Sequence, residues 1–310
     1  MSKEIILIRH GETDENKRKI TQGREINSHL NNTGKQQAVI TGKYLKKFKH
    51  KPSIIFTSPL HRAYETADII CEELGFKKNA RNFIVNENLI ETTNGLLNET
   101  RNAELEASKY YASYKKMENT YLNILDPIKK NQYLYKSDVK KTLSNLEADT
   151  MDDIEKRSKA IIHLIHNCPK KKIMMISHNG IIKQFLNYIF GLCENAITID
   201  YYKKTKNCHI TKISYDANAT SKFKLLSKPN TMHFKTFTNF DETIYETTRL
   251  VEYDETWDED KFIYEVTDGE KIFLLKPEEP QIKKKDFKKY NIKSLVSKNK
   301  YGFLYQTIEK

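Results

Sequence analysis

The side chains best suited to chemistry follow short apolar runs. Arg9-His10-Gly11-Glu12-Thr13, with Asn16 close behind, sets a histidine beside an arginine directly after Ile5 to Ile8. Arg62 follows Ser58-Pro59-Leu60-His61, and His178 sits in Ile176-Ser177-His178-Asn179-Gly180, again behind an apolar run from Ile173. Arginine, histidine and asparagine together are a phosphate-holding set: forked cationic donors, a titratable nitrogen and a neutral amide. Each group taken singly reads as structural. The background adds weight, because 45 lysines stand against 8 arginines, and an arginine in such a chain marks a place where a planar, bidentate fork is required.

Other chemistries leave no pattern. There is no G-x-x-x-x-G-K-[ST] loop, no G-x-G-x-x-G turn, no G-x-S-x-G elbow, no H-E-x-x-H helix, and no cysteine followed six positions later by arginine. His163, His166 and Cys168 are close in sequence but lack a fourth ligand, so no metal site is expected there. No cofactor is expected either.

The positioning elements are legible as an alternation. Ile5 to Ile8, Ser53 to Thr57 and Lys172 to Ser177 look like strands buried on both faces. Between them run helical periodicities: Ala38, Thr41, Leu45 and Phe48 after Gly34; Leu60, Ala63, Tyr64, Ala67, Ile70, Cys71 and Leu74 after Ser58-Pro59; Ile154, Ile161 and Ile165 after Thr150; and Ile182, Phe185, Leu186 and Ile189. Ser58 is the expected N-cap of the second helix with Pro59 at its first position, and Thr150 opens the third in capping-box style. Such alternation implies an α/β fold, a three-layer αβα sandwich around a mostly parallel sheet. Ligands bind such sheets beyond the carboxyl ends of the strands, where Arg9-His10, Ser58 and Ser177-His178 fall. Residues 98–149 form a Lys- and Tyr-rich helical insertion, expected to cover that crevice as a lid and to carry substrate selectivity. From 208 onward short β runs take over, and a boundary near 235 separates residues 1–234 from a small β-rich extension, 235–310.

Length and composition set the frame. With 310 residues, 38% hydrophobic and 30% charged, the chain has the profile of a soluble globular protein of one large or two ordinary domains. The longest aliphatic runs are four residues, far from a membrane helix, and the start does not read as a secretory leader. Four dispersed cysteines suggest reduced thiols and a cytoplasmic protein. The formal charge is +12, with 39 basic and 25 acidic residues up to 234 and 14 and 16 beyond. No RNA-recognition or zinc-finger pattern accompanies it, so nucleic acid is not an expected partner. Residues 241–279 are acidic and 280–310 basic, a polarity that reads as two solvated faces or as a self-association surface, leaving a homo-oligomer open.

Several motifs then align with a known family. Arg9 to Asn16 reads R-H-G-E-T-x-x-N, followed by Gln22-Gly23 and by L-x-x-T-G-x-x-Q-A at Leu30 to Ala38. S-P-L-H-R-A-Y-E-T-A spans Ser58 to Ala67, L-I-E-T-T-N-G spans Leu89 to Gly95, S-H-N-G begins at Ser177, and N-C-H-I-T-K-I-S-Y-D begins at Asn207. In this order and spacing the chain resembles the histidine phosphatase superfamily, in the branch holding cofactor-dependent phosphoglycerate mutases and their phosphatase relatives. The resemblance covers roughly residues 1–234. It departs at Ala148-Asp149-Thr150, where the family has G-E-S, although Arg157 keeps that helix's usual arginine. It departs also at Leu97-Asn98-Glu99, in place of W-x-G, and at Asn179, where phosphatases usually carry glycine.

The resemblance implies roles. His10 would be the nucleophile, its pKa lowered by neighbouring cations, and would pass through phosphohistidine. Arg9, Asn16, Arg62 and protonated His178 would neutralise the phosphate oxygens, and Glu91 would be the acid and later the base. The mutase stretches F-T-G-W and E-R-x-Y-G correspond here to Ile20-Thr21-Gln22-Gly23 and Glu91-Thr92-Thr93-Asn94-Gly95. A metal-independent phosphomonoester hydrolase is therefore expected over a mutase, with a catalytically silent phospho-ligand-binding scaffold as the rival. Its substrate would be a small phosphorylated molecule or a phosphoprotein.

Overall fold

The structure is a computed structural model. It describes residues 2–47, 49–98, 101–125, 127–190 and 206–230, and beyond these the segments 237–240, 243–252, 263–267, 272–276, 292–299 and 302–307. Phe48, Cys193, the acidic run 253–260 and the basic run 283–289 lie outside the described residues. The chain divides into two units, Met1–Asn230 and Thr231–Lys310.

The first unit opens with β1 (Lys3–Arg9), a short α1 (Asp14–Lys17) and α2 (Asn32–Lys47). It continues through β2 (Ile54–Thr57), α3 (His61–Leu74) and β3 (Phe83–Val85). The insertion contributes α4 (Asn102–Ala107), α5 (Tyr111–Asn123), α6 (Pro127–Leu134) and α7 (Ser137–Asn145). Then come α8 (Met151–Asn167), β4 (Lys172–Ser177), α9 (Asn179–Phe190), β5 (Ile210–Tyr215) and β6 (Phe223–Asn230). The strand order is β3-β2-β4-β1-β5-β6. β1, β2, β3 and β4 are mutually parallel, while β5 and β6 add antiparallel, so the sheet is mixed.

The all-apolar strands make sense once both faces are followed. Ile5, Leu7, Ile173 and Met175 pack with Ile161 and Ile165 of α8 and with Ile181, Phe185 and Leu186 of α9. Their neighbours Ile6, Ile8, Met174 and Ile176 point the other way, onto Ala38 and Leu45 of α2 and Ala63, Ala67 and Ile70 of α3. Successive strand residues alternate faces, so a sheet covered by helices on both sides has no place for a polar strand position. This is the three-layer sandwich.

Helix starts differ in how local they are. Thr150 and Asp153 cap α8 reciprocally, as the sequence suggests. By contrast α3 begins at His61, not at Pro59, with Leu60 at the cap and no side-chain cap bond of its own. Ser58 Oγ accepts from the Leu60 amide at 3.3 Å and also lies 2.7 Å from His178 Nε2, while the His61 amide is capped by Asn27 Oδ1 at 2.8 Å. Close backbone packing fixes the loop after β1: a Cβ on Gly11 would lie 2.5 Å from the Gly34 carbonyl oxygen, so only glycine fits.

The second unit's described segments are β7 (Phe237–Phe240), β8 (Thr243–Glu252), β9 (Ile263–Thr267), β10 (Ile272–Lys276), β11 (Ile292–Asn299) and β12 (Gly302–Thr307). They form one antiparallel sheet in the order β11-β12-β10-β9-β8-β7. Among the described residues, no helix is long and apolar enough to cross a membrane.

Candidate active site

Strand register assembles the site. Arg9 of β1 lies opposite Ser177 of β4, and Thr57 of β2 opposite Ile176, so three neighbouring strands end at one level. The next residues are His10, His178 and Ser58. The two imidazoles end 5.2 Å apart between ring centroids, both buried. The His10 amide donates to the Ser177 carbonyl at 3.0 Å, which ties the two strand ends together beyond the ladder.

His10 Nδ1 lies 2.7 Å from the Gly11 carbonyl. A carbonyl only accepts, so Nδ1 carries the proton and Nε2 keeps its lone pair. Burial first, and then Arg9, His178 and Arg62, hold the His10 pKa well below the ordinary imidazole value. His178 is pushed the same way by burial, Arg62, Arg9 and Arg157. This direction opposes the expected protonation of His178.

Arg62 does more than line the cavity. It is 1% exposed, and its guanidinium is not an idle fork: Nη1 donates to Ile26 O at 2.6 Å and Nη2 to Gly23 O at 2.7 Å. The side chain pins the loop that walls the cavity while lining that cavity itself. Burial draws its pKa down to about 10, opposed by the nearby Glu91 charge. Arg9 lines the same wall, its pKa likewise lowered by burial. Asn16 Oδ1 accepts from the Thr13 amide at 3.3 Å and from Asn207 Nδ2 at 2.9 Å, which turns its amide NH₂ into the donor available to a ligand.

Glu91 stands across the cavity. Its carboxylate accepts from the Thr92 amide at 2.8 Å and from the amides of Gly180 and Ile181, at 3.1 and 3.0 Å, in the first turn of α9. A helix N-terminus favours a negative group there. The acid and the helix that follows His178 are thus one assembly.

The cavity measures about 360 Å³ and gathers Arg9, His10, Asn16, Arg62 and Glu91. His178 stands behind His10, fully buried. Further lining comes from Lys19 to Gly23, from Thr92 and Asn94, and from Asn179 and Gly180. None comes from the described part of the insertion; the walls are built by the end of β1, the loops after β1 and β3, Arg62 of α3 and the start of α9. His163 Nε2 lies 2.8 Å from Asn167 Nδ2, and His166 Nδ1 lies 2.8 Å from the Tyr215 hydroxyl.

Sequence reasoning passed over Asn207, which donates to the carbonyls of His10 and Gly11 at 3.2 and 3.0 Å and holds the nucleophile's loop. It also passed over Arg24 and Asp149, which meet beside Glu91 at 3.0 Å. Arginine scarcity marks Arg24 as plainly as Arg62. Asp149 carries no comparable signal.

Comparison with known proteins agrees with the geometry. A Hydrogenobacter thermophilus protein named for phosphoserine phosphatase activity is 27% identical over 191 residues, 61% of this chain and 80% of that protein. The phosphatase PhoE of Bacillus subtilis is 50% identical over 70 residues, 23% of this chain and 35% of its own length. A phosphoglycerate mutase structure from Bacillus anthracis superposes with a TM-score of 0.53 at 17% identity, covering 73% of this chain and 92% of the mutase, and so shows the fold. Residues 5–226 match the family model of the histidine phosphatase superfamily, branch 1. Paired histidines at adjacent parallel strand ends, buried arginines around them and this match across most of the chain place the protein in the histidine phosphatase superfamily.

Proposed function

We propose that the protein is a metal-independent phosphomonoester hydrolase that works through phosphohistidine at His10. The observation that carries this reading is the fixed His10 tautomer, its bare Nε2 set among Arg9, Arg62 and His178. A phosphate ester entering the cavity meets two arginines and the Asn16 amide, which neutralise its oxygens. His10 Nε2 then forms the N–P bond as the ester P–O bond breaks, and the departing alkoxide takes a proton from Glu91. Water attacks phosphorus in the second half, giving its proton to Glu91 as the N–P bond breaks and inorganic phosphate leaves. His178, whose pKa burial and Arg62 lower, gains reason to bind a proton once the dianion is beside it.

All the residues so assigned lie between 9 and 178, and the catalytic work is attributed to the first unit alone. Beyond the phosphate-facing groups the cavity offers Lys19, Thr21, Asn94 and Asn179, with Ile20 as the one aliphatic side chain among the described residues that line it. That lining supports a small polar phosphate ester in preference to an aromatic or nucleobase-bearing one. Buried free thiols at Cys71, Cys168 and Cys208 support a cytoplasmic setting.

The test is a rapid quench with radiolabelled phosphoserine, 3-phosphoglycerate, a sugar phosphate and a phosphopeptide. Wild type should carry acid-labile, alkali-stable label and release inorganic phosphate at the same rate in EDTA, whereas His10→Ala should carry none. Equal labelling of both proteins sinks the assignment. Transfer to a second sugar or glycerate hydroxyl instead of water would make it a mutase, and binding of inorganic phosphate without turnover would make it a scaffold.

A further inference from the structure

Glu91 lies in a stretch, residues 91–94, with no regular secondary structure, so no ladder or helix hydrogen bonds fix its main chain. Side chains from distant parts of the sequence do that instead. Arg24 Nε donates to the Glu91 carbonyl at 3.2 Å, and Arg157 Nη1 donates to the same carbonyl at 3.4 Å and to that of Ile90 at 2.9 Å. Both guanidiniums also grip one carboxylate. Arg24 Nη2 reaches Asp149 Oδ1 and Oδ2 at 3.1 and 3.0 Å, and Arg157 Nη2 pairs with Oδ2. Asp149 closes the frame on the far side of Glu91: its Oδ2 accepts from the Thr93 amide at 3.1 Å and its own amide donates to the Thr93 carbonyl at 3.0 Å.

We propose that Arg24, Arg157 and Asp149 form a clamp that positions Glu91 for proton transfer to the leaving group. The inference rests on the phosphatase reading above, in which Glu91 is the acid. Three features make positioning, rather than general stabilisation, the purpose. Both arginines converge on the carbonyl of Glu91, whose side chain lines the cavity. The shared aspartate keeps two like charges from repelling across a short gap, and the Arg157–Asp149 pair is largely withdrawn from water, its members being 12% and 11% exposed. Finally, the Glu91 carboxylate is tied independently to the first turn of α9, so main chain and side chain are fixed from opposite sides. Proton transfer needs hydrogen-bond reach, and a displacement of about 1 Å costs on the order of 100-fold.

The discriminating measurement is kcat/KM, which reports the first chemical step, with two leaving groups. Glycerol phosphate expels an alkoxide that must be protonated, whereas p-nitrophenyl phosphate expels a stable phenolate that needs no acid. Asp149→Asn and Arg24→Lys should each lower kcat/KM for glycerol phosphate by about 10- to 100-fold while leaving that for p-nitrophenyl phosphate within about 3-fold of wild type. In a Glu91→Gln background neither change should have further effect on glycerol phosphate. Arg24 is 35% exposed, so Arg24→Lys keeps the test open if Asp149→Asn fails to fold. Equal losses on both substrates, or additive losses with Glu91→Gln, overturn the clamp alone. A wild-type protein that hydrolyses neither compound overturns the phosphatase reading and the clamp with it.

Discussion

At the scale of single residues, Arg62 shows why a charge count understates an arginine. Its Nη1 and Nη2 reach two different carbonyls, Ile26 and Gly23, while the same planar group faces the cavity. A lysine has one ammonium on a flexible stem and cannot serve both carbonyls and a phosphoryl group. Arg62→Lys is therefore expected to lower kcat/KM by roughly 30- to 1000-fold, corresponding to about 2 to 4 kcal/mol of transition-state stabilisation. It should also lower the melting temperature, because a buried carbonyl loses its charged donor. Steady-state kinetics beside a thermal melt check both; a wild-type rate would remove Arg62 from the mechanism. Arg9, His10 and Arg62 were legible in the sequence because arginine is scarce and apolar runs show where strands end. The Arg62 carbonyl contacts were not, since Gly23 and Ile26 become its partners only after the chain has folded back on itself. Asp149 was opaque for a similar reason. Its partners Arg24 and Thr93 lie 125 and 56 positions away, and no local rule pairs an aspartate ahead of a helix with a loop that far upstream.

Elements were legible where their signals are local. The capping box of α8 sits within four residues and the two-faced strands within seven, so both could be located from sequence. The start of α3 at His61 could not, because the His61 amide is capped by Asn27, 34 positions earlier. At the head of α9, Gly180 gives an element-scale prediction. A Cβ there would lie 2.5 Å from Glu91 Oε1 and 2.8 Å from Thr92 Oγ1, both ends of side chains that can swing away. Alanine is the better helix former by about 1 kcal/mol. Gly180→Ala should consequently leave the melting temperature unchanged or slightly raised while kcat for an alkyl phosphate falls about 10-fold or more, as Glu91 is displaced from the helix amides. A melt that collapses along with the rate would mean that the glycine serves packing instead.

For the whole molecule, the layered α/β architecture follows from alternation of apolar runs and helical periodicities, whereas the position of the insertion, none of whose described residues lines the cavity, could not be foreseen, because a helix pattern does not say which face of a sheet edge it will cover. Buried histidines give the folded unit a pH signature. Burial pushes His209 down to about 4, and His10 and His178 also titrate below the ordinary imidazole value. The unfolded chain takes up these protons near pH 6.5, the native state only further down, so stability is lost as pH falls from about 6.5 through the folded values. For His209 alone the loss by pH 4 is about 3 kcal/mol. Urea midpoints at pH 7, 5.5 and 4 should decline, and His209→Gln should flatten that decline; an equally steep variant would show that His209 is not responsible. The level ending of β1, β4 and β2 carries one more consequence. Slipping a strand by one residue would turn its side chains to the opposite face and part the two histidines, so no misaligned sheet can be partly active. Recovered turnover after refolding thus counts correctly threaded molecules one by one, and makes this enzyme a reporter of its own strand alignment in a way that spectroscopic helix or sheet content is not.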